Sequence, residues 1–200
     1  MKKVAVLLHF LLSAFAAAAQ VTPDSRLLAR MDSFFAANHQ LDLDKIPDYT
    51  YPRLFTIATR EEMREALEET FKDDEVAVQL DSMKAVTFFP EFKWESGRYM
   101  KIKYSFIMRM KFLPEGADTD TTGAEDPLML TAEILKSQYG TENVSMDKAS
   151  RTIRIYQQSS MVAVKNDISP EWTFTDLENN PGMLTLLFDQ KLVDKLAEYN

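Results

Sequence analysis

Cysteine is absent from the 200 residues, and glycine occurs only five times. The first absence excludes disulfide scaffolds, thiolate zinc sites, iron–sulfur clusters and cysteine nucleophiles. With so few glycines, neither a G-x-G-x-x-G fingerprint nor a phosphate loop occurs anywhere in the chain. Histidine is limited to His9 and His39, too few for a multi-histidine metal site. Strong basic runs are missing as well. The 23 Lys and Arg against 31 Asp and Glu give a formal net charge of −8, which argues against a nucleic-acid partner. What is present, 46% hydrophobic and 27% charged residues, is the balance of a folded protein.

The first twenty residues supply an address. Lys2 and Lys3 precede an apolar run from Val4 to Phe15 that exits through Ala16-Ala17-Ala18-Ala19. This is the form of a secretory signal peptide over residues 1–19, with Ala17 and Ala19 meeting the A-x-A rule and Gln20 as the first mature residue. The competing reading, an uncleaved signal anchor, fits the alanine tail less well. No cysteine follows the run to take a lipid, and no later segment approaches the roughly 20 apolar residues of a membrane-spanning helix. Processing removes Lys2 and Lys3 from the 23 basic residues and no acid from the 31, so the net charge moves from −8 to −10. An exported chain without cysteine fits a bacterial periplasm better than a eukaryotic secreted domain. The expectation is a periplasmic or secreted protein, not membrane-spanning after processing.

Residues 20–200 carry the signals of one α+β domain. Thr22-Pro23-Asp24 opens a helix with Thr22 at N-cap, and Leu27, Leu28, Met31, Phe34 and Phe35 form its apolar stripe. Tyr49, Tyr51, Leu54, Phe55 and Ile57 suggest an edge strand, confined there by Pro52. Thr59 and Glu62 make a capping box for a second helix through Phe71, on which Glu68 and Lys72 pair at i,i+4. Two-residue alternation then takes over. Val76, Val78, Leu80, Val86 and Phe88 lead to the longest run, in which Met100, Ile102, Tyr104, Phe106, Met108, Met110 and Phe112 share one face. Lys101, Lys103, Ser105, Arg109 and Lys111 share the other, which predicts a sheet with a core face and a charged, solvated face. Residues 114–126 read as an acidic loop, and Asp126-Pro127 starts an inserted helix closed by Gly140. Ile153, Ile155 and Met161–Val164 suggest a long strand broken by a bulge at Gln157–Ser160. Trp172 to Phe174 is a last strand, and Leu184, Leu187, Phe188, Leu192 and Leu196 mark one closing helix or two short ones.

The Phe34-Phe35 helix running into Asp42-Leu43-Asp44, the capped helix at Thr59–Phe71, and Met161–Val164 followed by Glu171-Trp172-Thr173-Phe174 carry a resemblance. In order and pattern the chain resembles the cystatin-like α+β superfamily of nuclear transport factor 2, which includes polyketide cyclases and ketosteroid isomerase. The likeness covers most of residues 24–178. The inserted segment at 114–139 and the tail after Glu178 depart from it. It implies N-terminal helices packed on a curved, mostly antiparallel, cone-shaped sheet with a cavity at one end. Enzymes of that superfamily place a carboxylate and a tyrosine or histidine in the cavity, whereas other members only bind or dimerise. In such a cone Tyr104, Met108 and Trp172 would line the mouth; as ordinary core residues they would simply pack.

Other constellations are weaker. His39 reads as a solvated helix end, where a cation suits the dipole, rather than a general base. Asp118, Asp120 and Gly123 begin like a calcium loop, but Met129 stands where the bidentate glutamate belongs. The Met108-x-Met110 pair could hold copper(I), although core packing explains it. Asp81 is the one carboxylate considered as a cavity base, and its alternation with Gln79 points it to solvent. Ser159-Ser160 lacks the G-x-S-x-G context of a nucleophile. No catalytic residue, metal or cofactor is assigned. The expected function is an exported, non-enzymatic binding or interaction domain holding a small apolar ligand or a protein partner. The alternatives are a periplasmic lyase, isomerase or hydrolase using a tyrosine–carboxylate pair, and a structural homodimer.

Overall fold

A computed structural model describes residues 22–71, 74–113, 126–177 and 181–199. The segment expected to be a signal peptide, residues 114–125 of the expected acidic loop with its calcium-like start, and Lys72 lie outside the described residues. The chain begins with helix α1 (Ser25–Gln40), capped by Asp24, whose carboxylate accepts from the Arg26 amide at 2.9 Å. Thr22 is therefore not the cap: Asp24 holds the non-helical conformation and the helix starts two residues later than expected. Leu27, Met31 and Phe35 recur every fourth residue, fall on one face and are buried. Each such burial stabilises by about 1.5–3 kcal/mol.

The expected edge strand near Tyr51 is instead a short helix α2 (Ile46–Tyr49) followed by a 3₁₀ turn (Pro52–Thr56). Only Thr50 bridges to the sheet, opposite Phe174, and the Tyr51 amide bonds the Phe174 carbonyl at 2.9 Å. Pro47 and Pro52 fix φ at the start of each short helix, which suits tight turns and denies the segment a strand ladder. The capping box of α3 (Arg60–Phe71) forms as expected: the Glu62 carboxylate accepts from the Thr59 amide at 2.7 Å, and the Thr59 hydroxyl accepts from the Glu62 amide at 3.2 Å.

The sheet is curved, antiparallel and six-stranded: β1 (Val76–Phe88), β2 (Phe92–Trp94), β3 (Gly97–Phe112), β4 (Val144–Asp147), β5 (Thr152–Asn166) and β6 (Ser169–Asp176). β3 and β5 pair without a register break from Arg98↔Lys165 to Lys111↔Thr152. The bulge expected at Gln157–Ser160 is thus absent. Those polar residues sit in a regular ladder, and the irregularities fall in β1, between Asp81 and Lys84 and between Ala85 and Thr87, and in the β5–β6 pairing between Val164 and Asn166. At Ser82 the backbone takes φ 54°, the left-handed region. β1 and β2 share one side of β3, while β4 and β6 share the far side of β5.

Two helices cover one face of this sheet. α1 lies on Met100, Ile102, Met161, Ala163, Trp172 and Phe174, and α4 (Pro127–Tyr139) covers Ile153 and Ile155 near Met108 and Met110. On the other face, α5 (Pro181–Leu187) and α6 (Gln190–Ala197) enclose Tyr99, Val162 and Val164. The tail is two short helices because Asp189 breaks it and caps the second, accepting from the Leu192 amide at 2.9 Å.

Candidate functional site

Four connections converge at one end of the sheet. They are the β2–β3 turn, the β5–β6 turn, the 3₁₀ segment after Tyr51, and the Phe188-Asp189 junction between α5 and α6. Together they enclose a cleft of about 580 Å³, within the size range of small-molecule sites. Its aromatic walls are Tyr51, Trp94, Tyr99 and Phe188. Tyr51 stacks on Phe188 with ring centres 5.3 Å apart, and Tyr99 meets Phe188 edge-on at 6.2 Å. Gly97 makes this packing possible: a Cβ there would stand 2.6 Å from the Tyr99 ring and 2.7 Å from its hydroxyl oxygen.

The polar groups of the cleft are fixed by one another. The Asn166 amide donates to the Tyr51 hydroxyl at 3.0 Å. Trp94 Nε1 donates to Asp189 Oδ2 at 3.1 Å, so one carboxylate caps α6 and anchors the indole. The Ser96 hydroxyl donates to Asp167 at 2.7 Å and ties the two hairpin turns together. Glu95, Asp167 and Asp189 face a single cation, Arg53, around this cleft. Burial pushes the Tyr99 phenol up from its ordinary value; a bond from Asn166 opposes this, and the nearby Tyr51, Glu95 and Asp189 add to it.

The residues expected to line a mouth do not meet in one cavity. Trp172 is fully buried in the α1 core, where the Arg98 guanidinium lies 5.2 Å from its ring centre. Its Nε1 has no hydrogen-bond partner among the described residues. Tyr104 packs at the edge of that same core, 5.9 Å from Phe35 and stacked at 5.8 Å on Phe106. Met108 belongs to the separate α4 cluster with Met110, which is how packing explains this pair. Phe106, expected in the core, is half-buried and lines a second cleft of about 360 Å³ with Tyr139, Tyr156 and Gln157–Ser159.

Asp81 is buried, not solvent-facing. Its carboxylate meets the Arg109 guanidinium on one oxygen and His39 Nδ1 at 3.2 Å on the other. His39 Nδ1 also lies 2.9 Å from the Leu80 carbonyl, so the ring docks the end of α1 onto β1 while half its surface stays in water. Asp81 keeps the parity of Gln79, but His39 and Arg109 close over its carboxylate and bury it; the left-handed Ser82 shifts the register only after it. Among the described residues no three His, Asp or Glu side chains are placed to hold a metal ion.

The cleft residues Tyr51, Trp94, Tyr99, Asn166, Phe188 and Asp189 were not singled out from sequence. The available signal was local: Phe92, Trp94 and Tyr99 crowd three aromatics around the Glu95-Ser96 turn. Asn166 and Asp189 give no such signal, since only folding brings them there. No family model, no curated protein and no solved structure matches this chain.

Proposed function

We propose that the protein is an exported, non-enzymatic binding domain on a cone-like fold akin to nuclear transport factor 2, with its ligand in the Trp94–Tyr99 cleft. Export rests on Lys2-Lys3, the apolar run and the alanine exit. The kinship rests on element order: helices first, then a curved antiparallel sheet laid over them. The observation that carries the binding reading is an aromatic-walled cleft in which two of the three carboxylates, Asp167 and Asp189, are already committed. Asp189 serves Trp94 and the Leu192 amide, and Asp167 serves Ser96. A tyrosine–carboxylate catalyst needs the two groups paired; here no described hydrogen bond joins a cleft tyrosine to a carboxylate, and Tyr51 bonds Asn166 instead. Such a site holds a ligand better than it transforms one. Four aromatic walls suit a flat apolar body, and the acidic rim suits a basic end on it.

The test is Trp94 fluorescence during titration with a cationic aromatic dye and with its anionic analogue. The expected result is a saturable change with the cation, lost in Trp94→Phe and weakened at least tenfold in Asp167→Asn. Trp172, buried elsewhere, supplies a constant background. No saturable change with either dye refutes the reading.

A further inference from the structure

The face of the sheet opposite α1 and α4 changes character along its length. At one end α5 and α6 cover it; beyond Lys101, whose ammonium bonds the Tyr199 carbonyl, no described element does. The register sets out this uncovered area row by row. Thr87, Lys103 and Ser160 lie across from one another, then Lys84, Ser105 and Gln158. Next come Ile107 and Tyr156, with Asp81 at the β1 end, then Gln79, Arg109, Arg154 and Ser145, and last Ala77, Lys111, Thr152 and Asp147. Lys84, Lys103, Arg109, Lys111 and Arg154 thus share one face, which runs about 27 Å from Lys103 to Lys111 at the strand rise of roughly 3.4 Å per residue. Within it Asp81 is buried and pairs with Arg109, and Asp147, at the β4 edge, is engaged by the Ala149 amide and the Ser150 hydroxyl. Lys84, Lys103, Lys111 and Arg154 have no carboxylate within salt-bridge reach among the described residues. Five of the 23 Lys and Arg of this chain of net charge −8 lie on this one face.

The neutral groups between these cations narrow the partner. Tyr156 is exposed at the centre of the face, and the Gln158 amide donates to its hydroxyl at 2.9 Å. That bond first, then Ser105 and the charge of Lys84, hold the phenol below its ordinary value, as expected where anionic oxygen is welcome. Tyr156 and Gln158 also line the 360 Å³ cleft, which wraps the β5 edge and continues into Gln138, Tyr139, Asn143 and Gln157. Two tyrosines among three glutamines and an asparagine offer ring faces and amides, the groups that hold sugar rings and their hydroxyls. An anionic lipid surface would call for apolar side chains projecting from this face. The exposed Met129, Leu130 and Ile134 are instead on α4, the helix that covers the opposite face.

We infer that this basic sheet face and its contiguous amide-lined cleft dock an anionic polysaccharide, with a sugar ring in the cleft and its acidic groups on Lys84, Lys103, Arg109, Lys111 and Arg154. The partner is distinct from the ligand of the Trp94 cleft, which opens elsewhere on the molecule.

The experiment is calorimetric titration of the full chain with polygalacturonate, with neutral dextran, poly-glutamate and vesicles of 30% phosphatidylglycerol as comparisons. Binding of polygalacturonate that weakens at least tenfold between 50 and 300 mM salt, against none to dextran, is expected. The variant Lys84→Glu, Lys111→Glu, Arg154→Glu should lose it at least thirtyfold while retaining its urea midpoint, since all three side chains are exposed. Tyr156→Phe should weaken it severalfold by removing only the hydroxyl. Retained affinity in the triple variant overturns the inference. So does equal binding of poly-glutamate, which would make the face a docking site for acidic protein, or binding to the vesicles alone, which would make it a lipid contact.

Discussion

β3 is one strand with one alternation, yet its two halves live in different surroundings. From Gly97 to Ile102 both faces are wrapped, Met100 and Ile102 beneath α1 and Tyr99 beneath α5 and α6. From Ser105 to Phe112 one face rests on α4 and the other is open, and Phe106, Met108, Met110 and Phe112 are only half-buried. Alternation therefore reports which residues share a face, and says nothing of what covers it. The difference is functional as well. The wrapped half ends in the aromatic cleft, where packing fixes each polar group; the open half offers a charged surface that packing leaves free.

The largest effect that sharpens this contrast is Trp172→Ala, which empties a fully buried site in the wrapped half and should cost about 3–5 kcal/mol in a urea titration. Phe106→Ala, in the open half beside the smaller cleft, should cost about 1–2 kcal/mol, because part of its surface already meets solvent. Equal costs would mean that the two halves are packed alike and would break the comparison.

Much of the fold was legible because the relevant signals are local. The Thr59–Glu62 box, the Asp126-Pro127 start and the parity of Met100–Phe112 each depend on residues a few positions apart. What was misread depends on distant partners. Tyr51 lies in aromatic company that suggests a strand, but it is held by Phe188 and Asn166, more than a hundred residues away. Gln157–Ser160 suggests a break because polar residues interrupt an apolar run. In the fold the Gln157 and Ser159 side chains line the smaller cleft, where polar groups are tolerated. By analogy with a cone, Tyr104, Met108 and Trp172 form a mouth. The two helices α1 and α4 divide that face instead, and fill the space the analogy left empty. Of the candidate site itself only Trp94 and its turn carried a sequence signal.

At the boundary between the halves, Asp81 joins α1 to the sheet through His39 and β1 to β3 through Arg109. Removing the carboxylate strands two partners, but both retain contact with water. Asp81→Ala should therefore cost about 1–2 kcal/mol, less than the roughly 3–5 kcal/mol of a fully buried pair. A double-mutant cycle with Arg109→Ala isolates the bridge. If the two single costs simply add, the bridge contributes nothing and the halves are joined by packing alone.

The smallest expected effect concerns α3, which unlike α1 buries no residue outright and depends on its own ends. Glu62 is held below its ordinary value, first by the Thr59 amide and then by the Thr59 hydroxyl; Glu61 is held low by Arg64. A carboxylate whose pKa is depressed in the folded state contributes stability above its unfolded value, about 4.3 for glutamate, and loses it as pH falls through the folded value. Acidification below about pH 4 should thus loosen the first turn of α3 while the wrapped half of the sheet holds. Amide exchange at pH 6 and pH 3, corrected for intrinsic chemistry, should show protection falling at Met63–Ala66 and unchanged at Ile102 and Val162. Glu62→Ala should remove most of that pH dependence by deleting the titrating cap. Protection lost equally in α3 and in the sheet would mean that acid acts on the whole fold and that α3 is no more separable than α1.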